Sequence, residues 1–367
     1  MSETARIERL RAELREREID RLLVGPGTNL RYLTAFTGSS GVALLDASDR
    51  AEHRFFTDFR YDTQSARQVA DVFEREIVAG GDLLEAVAQA LNGQDGSGGR
   101  LGFDDAALSV KEHTRLLELL DGGWQLIAGG GLVERLREVK EDGEIAAIQA
   151  AAELADQALV GVIERGLVGR SEREVAIELE LTMRRLGAQG ASFPTIVACG
   201  AHGALPHAEP REQPIARDTL VTIDWGAYLD GYCSDCTRTY ATGRLDAQAA
   251  EVYSLVLEAQ RAVVGALRAG RSGREVDAVA RRPIEQAGHG EHFGHGLGHG
   301  VGMEVHEAPR LSRTASEDPL RPGNVVTVEP GVYLPERLGV RIEDLVVVEE
   351  HGCRSLTTLP RELQTVS

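Results

Sequence analysis

The sequence predicts an α/β N-terminal domain followed by a larger α+β domain built as an internal pseudo-twofold duplication. Two observations carry this reading. Short helical patterns alternate with short apolar runs up to about residue 130, and beyond it two sequence blocks recur in the same order about a hundred residues apart. The length of 367 residues agrees, since it suits two domains on the prior of roughly 100–200 residues each.

In the first domain, residues 1–130, the runs Arg21-Leu22-Leu23-Val24, Gly41-Val42-Ala43-Leu44-Leu45, Arg54-Phe55-Phe56-Thr57 and Arg100-Leu101-Gly102-Phe103 read as strands. The stretch from Asn92 to Gly99 reads as a turn-rich surface loop and not as a domain boundary, because strand-like sequence resumes at once. The boundary falls after Gly129-Gly130-Gly131, with 131–142 as linker and 143–367 as the second domain. From Ile145 a helix is expected to run through Ile148, Ala152, Ala155, Leu159, Val162 and Ile163, which recur at helical spacing.

The duplication shows first in Gly169 to Val175, G-R-S-E-R-E-V, and Gly270 to Val276, G-R-S-G-R-E-V. Each block is expected to end a helix at its glycine and open the next at Ser171 or Ser272, with Glu three residues on as a capping box. It shows again in Leu220 to Tyr228, L-V-T-I-D-W-G-A-Y, and Val325 to Tyr333, V-V-T-V-E-P-G-V-Y. Each half then reads as helix, capped turn, helix and a strand that ends in a carboxylate.

Those strands deliver Asp224 and Glu329, and the returning strands, Tyr232 to Tyr240 and Val340 to Val348, carry Asp235 and Glu343. A hairpin turning at Leu229-Asp230 opposes Asp224 and Asp235 directly, whereas one turning at Asp230-Gly231 makes them diagonal neighbours. Either register puts both on one face. Four carboxylates brought together would repel, so positive charge must sit among them. Two divalent cations would balance them, and an oxygen-rich set with one imidazole suits Mn²⁺ better than thiolate-loving metals, with Co²⁺ or Zn²⁺ as substitutes. Five of the ten histidines lie between His289 and His306, where alternating glycines let imidazoles crowd a small ligand. His299, flanked by glycines, is the ligand candidate, and His289 and His292 read as solvent or packing residues.

Composition narrows the partners. Forty Lys plus Arg against 58 Asp plus Glu leave a formal charge of −18, which argues against nucleic acid and anionic membranes. The opening Met1-Ser2-Glu3-Thr4-Ala5-Arg6 has no apolar run of the kind a secretory signal needs, and no later segment approaches 18 uninterrupted apolar residues, so a cytoplasmic protein is expected. Four cysteines are too few and scattered for a disulfide framework. Cys233-Ser-Asp-Cys236 has redox or zinc half-site spacing but no second pair, and reads as two small strand residues around a useful Asp.

Taken together, these motifs resemble the creatinase, prolidase and aminopeptidase P group of pita-bread metallopeptidases, over nearly the whole chain. Tyr32 to Gly38 and Thr57 to Tyr61 look like the N-terminal domain of aminopeptidase P. The resemblance implies an α+β pita-bread catalytic domain. It makes Asp224, Asp235 (in S-D-x-T-R-T), His299 (in G-H-G-V-G), Glu329 (in V-E-P-G) and Glu343 (in R-I-E-D) the metal ligands. His207, His295 and His306 match histidines that bind substrate and stabilise the intermediate, and Arg341 an arginine supporting the metal carboxylates. The implied reaction is attack on an Xaa-Pro bond by a hydroxide held between two ions, with Glu329 shuttling the proton. A homodimer and a peptide substrate with proline in second position are expected. Intact ligands argue against creatinase and against a non-catalytic binding protein on this fold, and a 130-residue N-terminal domain argues against methionine aminopeptidase. An Xaa-Pro aminopeptidase is the favoured reading and a prolidase the alternative. The loop Thr37-Gly38-Ser39-Ser40-Gly41 favours the first by leaving a wide approach to the site, while Arg31 or Arg60 could hold a dipeptide's carboxylate in the second.

Overall fold

The structure, a computed structural model, describes residues 3–48, 50, 52–92 and 98–366. The first two residues of the chain and residues 93–97 of the expected turn-rich loop lie outside the described residues. The chain divides into two units, Met1–Arg137 and Glu138–Ser367.

Unit 1 holds one sheet of β1 (Arg21–Val24), β2 (Val42–Asp46), β3 (His53–Asp58), β4 (Phe73–Val78), β5 (Gly99–Phe103) and β6 (Trp124–Ala128), in the order β4-β3-β2-β1-β5-β6. Only β2 runs against its neighbours; the β1–β5, β3–β4 and β5–β6 pairs are parallel. Helices α1 (Glu3–Glu16), α2 (Thr28–Thr34), α3 (Asp62–Gln68), α4 (Leu83–Asn92), α5 (Val110–Leu119) and α6 (Leu132–Glu138) complete it. Leu23, Leu44, Phe56, Val87, Leu91, Leu101 and Leu116 form a core between sheet and helices. Four strands lie at the expected apolar runs. The two edge strands, β4 and β6, have no counterpart in that reading, because F-E-R-E-I-V buries only Phe73 and W-Q-L-I-A buries none of its residues. Residues 131–142, read as a linker, hold α6 and the first residue of the next helix, with Leu132, Val133 and Leu136 buried.

Unit 2 repeats one theme. In its first half α7 (Asp142–Ile163) and α8 (Glu172–Leu186) pack on β7 (Gly190–Ala191), β8 (Ile196–Cys199), β9 (Leu220–Trp225), β10 (Ala227–Leu229), β11 (Tyr232–Cys233) and β12 (Cys236–Ala241). Leu159, Val162, Leu179, Met183, Val221, Ile223 and Trp225 form the core there. In the second half α9 (Ala247–Ala266) and α10 (Gly273–Gln286) pack on β13 (Gly298–Gly300), β14 (Glu307–Leu311), β15 (Val325–Val328), β16 (Gly331–Leu334), β17 (Leu338–Arg341) and β18 (Asp344–Val348), with β19 (Cys353–Ser355) at the edge. Val256, Val263, Val276, Ile284, Val326, Val340 and Val346 form a second core. Among the described residues α7 alone is long and apolar enough to cross a membrane, by length and composition, and its Ile148, Ala152, Ala155, Leu159 and Val162 are buried in this unit.

The capped turns match in detail. Ser171 and Ser272 each close a capping box, with Glu174 and Glu275, worth about 0.5–2 kcal/mol for the cap. Ser171 bridges Pro214 and Ser272 bridges Pro319 in the same antiparallel sense. The preceding helices stop earlier than expected, at Ile163 and Ala266, so Gly169 and Gly270 are turn residues, both at φ 85°.

The hairpin turns at Asp230-Gly231, whose φ values of 50° and 90° suit a two-residue turn between Leu229 and Tyr232. Asp224 therefore faces Thr237, and Asp235 is its diagonal neighbour. Both returning strands are interrupted where one continuous strand was expected. β11 and β12 part at Ser234-Asp235, and β17 and β18 part at Ile342-Glu343, opposite Glu329-Pro330. In the second half Pro330 has no N–H to offer the ladder, so that break falls where Glu329 and Glu343 stand.

Candidate functional site

The interrupted hairpins of the two halves meet. Glu343 N donates to Thr237 O at 3.1 Å, and Thr239 Oγ1 donates to Arg341 O at 2.9 Å. Asp224, Asp235 and Glu343, all buried, present oxygens within 4.8 Å of one another, a spacing that suits a divalent cation. Burial first, and the neighbouring carboxylates second, push the carboxyls of Asp235 and Glu343 well above the ordinary range. Burial also raises Asp224, against the pull of Arg341.

His299 reaches the same cluster from β13. Its Nε2 lies 3.3 Å from Glu329 Oε1 and 3.7 Å from Asp235 Oδ2, while Nδ1 faces Gly300 O at 3.2 Å. A proton on Nδ1, given to that carbonyl, leaves Nε2 as the ligating nitrogen. The strand is tightly seated: a Cβ on Gly298 would lie 2.1 Å from Thr327 O, and one on Gly300 2.2 Å from Ala308 O. Burial opposes ionisation of Glu329, yet the hydrogen bond and charge of His299 hold it at about 2. Burial likewise opposes charge on His299, and Glu329 outweighs it, raising the imidazole above its usual value.

Arg341, 4% exposed, donates to a carboxylate of the cluster, whereas the buried Arg238 reaches the cluster only at the backbone carbonyl of Glu343. Arg341 donates to Asp224 Oδ2 at 2.5 Å, Thr237 Oγ1 at 2.9 Å, Tyr333 Oη at 2.9 Å and Pro206 O at 3.2 Å. Thr237 in turn donates to Glu343 Oε2 at 2.6 Å. Tyr333, whose phenol burial pushes up to about 12, lies 2.9 Å from His295 Nε2, and His295 Nδ1 faces Gly296 O at 2.7 Å. The phenol therefore donates to a neutral His295, and burial lowers that imidazole, in keeping with this tautomer.

His306 stacks edge-on against His299 with ring centroids 4.4 Å apart, and partial burial and the charge of His299 lower it. His207, exposed on the loop after the 3₁₀ turn Gly200–Ala204, is near enough for its charge to act on His306. The structure thus brings together Asp224, Asp235, His299, Glu329, Glu343, Arg341 and His295, with His306 beside them and His207 on a neighbouring loop. His289 and His292 pair with each other instead, Nδ1 to Nδ1 at 3.2 Å. Cys233 and Cys236 are buried free thiols. Tyr333 and Thr237 were missed by sequence reasoning, although both stand inside the blocks that marked the duplication and Asp235.

The donor set fits a divalent cation on one independent observation: Asp224 Oδ1 is buried without a hydrogen-bond partner. A buried carboxylate oxygen left so is costly unless something positive faces it.

Residues 146–350 match Metallopeptidase family M24, and residues 6–139 match the Creatinase/Prolidase N-terminal domain. The Uncharacterized peptidase YqhT of Bacillus subtilis is 41% identical over 359 residues, covering 98% of this chain and 99% of its own. The solved structure of an Xaa-Pro dipeptidase from Bacillus anthracis is 40% identical with a TM-score of 0.94, covering 99% of this chain and 100% of that one. The X-Pro aminopeptidase from Thermotoga maritima is 36% identical with a TM-score of 0.89, covering 98% and 100%.

Proposed function

Because this chain belongs to metallopeptidase family M24, with the pita-bread fold and a creatinase/prolidase N-terminal domain, we propose that it is an Xaa-Pro aminopeptidase releasing the first residue of peptides with proline in second position. The observation that carries a hydrolytic site is the buried trio Asp224, Asp235 and Glu343 with an orphaned Asp224 oxygen. We assign Asp224, Asp235, His299, Glu329 and Glu343 to two divalent ions, with Mn²⁺ favoured by the oxygen-rich donors. Bound there, the ions supply activation of water and polarisation of the scissile carbonyl.

The chain's own groups do the rest. Glu329 keeps Oε1 against Thr327 and His299, and its other oxygen takes the water's proton and passes it to the proline nitrogen as the C–N bond breaks. His207 and His306 donate to the carbonyl oxygen and to the oxyanion formed from it. His295, oriented by Tyr333, meets the substrate. Arg341 keeps Asp224 and Thr237 in place.

This division of the histidines has a direct check. His299→Ala is expected to weaken cation binding, measured by calorimetry. His306→Ala is expected to keep the cation and lose about 10²–10³ in turnover. Equal cation binding and normal turnover in both variants would overturn the division.

For substrate length, the aminopeptidase reading has support in the name of the 36% identical Thermotoga maritima protein. The dipeptidase reading has its own support in the name of the 40% identical Bacillus anthracis protein. Parallel assay of an Xaa-Pro dipeptide and an Xaa-Pro-Xaa tripeptide with Mn²⁺ added decides between them: we expect the tripeptide to be cleaved. Cleavage of the dipeptide alone transfers the assignment to prolidase.

A further inference from the structure

The two capped turns that mark the duplication differ at a single position, G-R-S-E-R-E-V against G-R-S-G-R-E-V, which sets Glu172 against Gly273. In the second half there is no room for a side chain, since a Cβ on Gly273 would lie 2.1 Å from the carbonyl oxygen of Arg310. Arg310 stands in β14, the strand that leaves His306. The backbone there packs directly against the start of α10.

In the first half the matching position carries a carboxylate that is 1% exposed. Its side-chain hydrogen bonds go to the segment that bears His207. Oε1 accepts from Cys199 N at 2.8 Å, and Oε2 accepts from Arg211 N at 3.0 Å. The Arg211 guanidinium grips both oxygens at 3.1 Å, and His202 Nδ1 approaches Oε2 at 2.9 Å. Burial opposes the charge on Glu172, and these donors outweigh it, holding the carboxyl below its ordinary value. One side chain therefore ties the two ends of loop 199–211 and a point between them. The far side of the loop is fixed by other contacts: Arg341 donates to Pro206 O at 3.2 Å, and Gly203 lies so close to β17 that a Cβ on Gly339 would stand 1.7 Å from its carbonyl oxygen. His207 sits next to Pro206, between the two anchors.

We propose that Glu172 is a positioning residue for the reaction, fixing loop 199–211 so that His207 meets the scissile carbonyl. It does with a charge-assisted clamp what Gly273 does in the other half by letting the backbone beyond His306 approach. The inference rests on the assignment of His207 to the substrate carbonyl made above. The contacts of Glu172 run to the loop and not to the carboxylate cluster, so its effect on turnover is expected to pass through His207, while an effect through Pro206 and Arg341 would instead change Mn²⁺ affinity.

The test is a mutant cycle on the full-length, Mn²⁺-loaded protein with an Xaa-Pro-Xaa tripeptide. Glu172→Gln, which keeps the shape and removes the charge, is expected to lower kcat about 10- to 100-fold, the scale of a small misplacement of a reacting group. Mn²⁺ affinity should stay unchanged, and amide hydrogen exchange across residues 200–210 should quicken. Added to His207→Ala, it should cost nothing further, because both act through one group. Should Glu172→Gln fail to fold, Arg211→Met removes only the partly exposed guanidinium and is expected to show the same pattern at smaller size. A loss that adds in full to that of His207→Ala, or unchanged exchange in the loop, overturns the proposal. Normal turnover by His207→Ala overturns instead the role given to His207, and faster exchange in Glu172→Gln would then still establish the anchor.

Discussion

Exhaustive chelation is expected to bring peptide hydrolysis to background, and Mn²⁺ to restore it. Four carboxylates, Asp224, Asp235, Glu329 and Glu343, crowd one buried site against one guanidinium and one imidazole. Without further positive charge, burial and mutual repulsion hold Asp235 and Glu343 well above the ordinary carboxyl range. A cation relieves both, so it should stabilise the fold as well as permit the reaction. At a free concentration a hundredfold above its dissociation constant, the gain is about 2.7 kcal/mol. For a unit of this size that corresponds to a rise in Tm of about 5–10 °C. Full activity after chelation, or active protein without bound metal by elemental analysis, would sink the assignment.

Arg341→Leu is expected to destabilise the protein by about 3–5 kcal/mol, the usual cost of removing one partner from a buried ion pair. Four acceptors lose their donor at once: Asp224, Thr237, Tyr333 and the Pro206 carbonyl. The loss should spread along those contacts, since Thr237 orients Glu343 and Tyr333 orients His295. Arg341→Lys restores the charge but cannot reproduce a fork that reaches four acceptors, and should recover only part of the loss. Urea unfolding followed by the fluorescence of Trp225, fully buried in unit 2, reads this directly. An unchanged midpoint in Arg341→Leu would show that the pair contributes nothing to the fold.

The paired strands were legible because their signals are local: apolar runs such as Leu220 to Ile223, and the same blocks written twice. The capping boxes at Ser171 and Ser272 were legible for the same reason. The hairpin register was left between two alternatives, and the structure selects Asp230-Gly231 because those residues supply positive φ. The edge strands β4 and β6 escaped because half-exposed strands carry mixed side chains. The interruptions at Asp235 and Glu343 escaped for a different reason. They arise where the two halves meet, and no window of sequence shows which residues of one half the other will approach. Glu172 stood in plain view as the single difference between two repeats, but its partners lie as far as Arg211 in sequence and only folding brings them to it.

The backbone approaches on either side of His299 also bear on how this chain can change over generations. At Gly298 and Gly300 any side chain would collide with a neighbouring carbonyl, so no compensating change of a nearby side chain reopens those positions. The turns at Gly169 and Gly270 are the opposite case. A side chain there meets nothing, and the only barrier is a left-handed backbone that Asn or Asp enters at modest cost. Substitution is therefore easier at the exposed turns between the two helices of each half than on the strand that carries the imidazole, so the outer connections are freer to vary than the site.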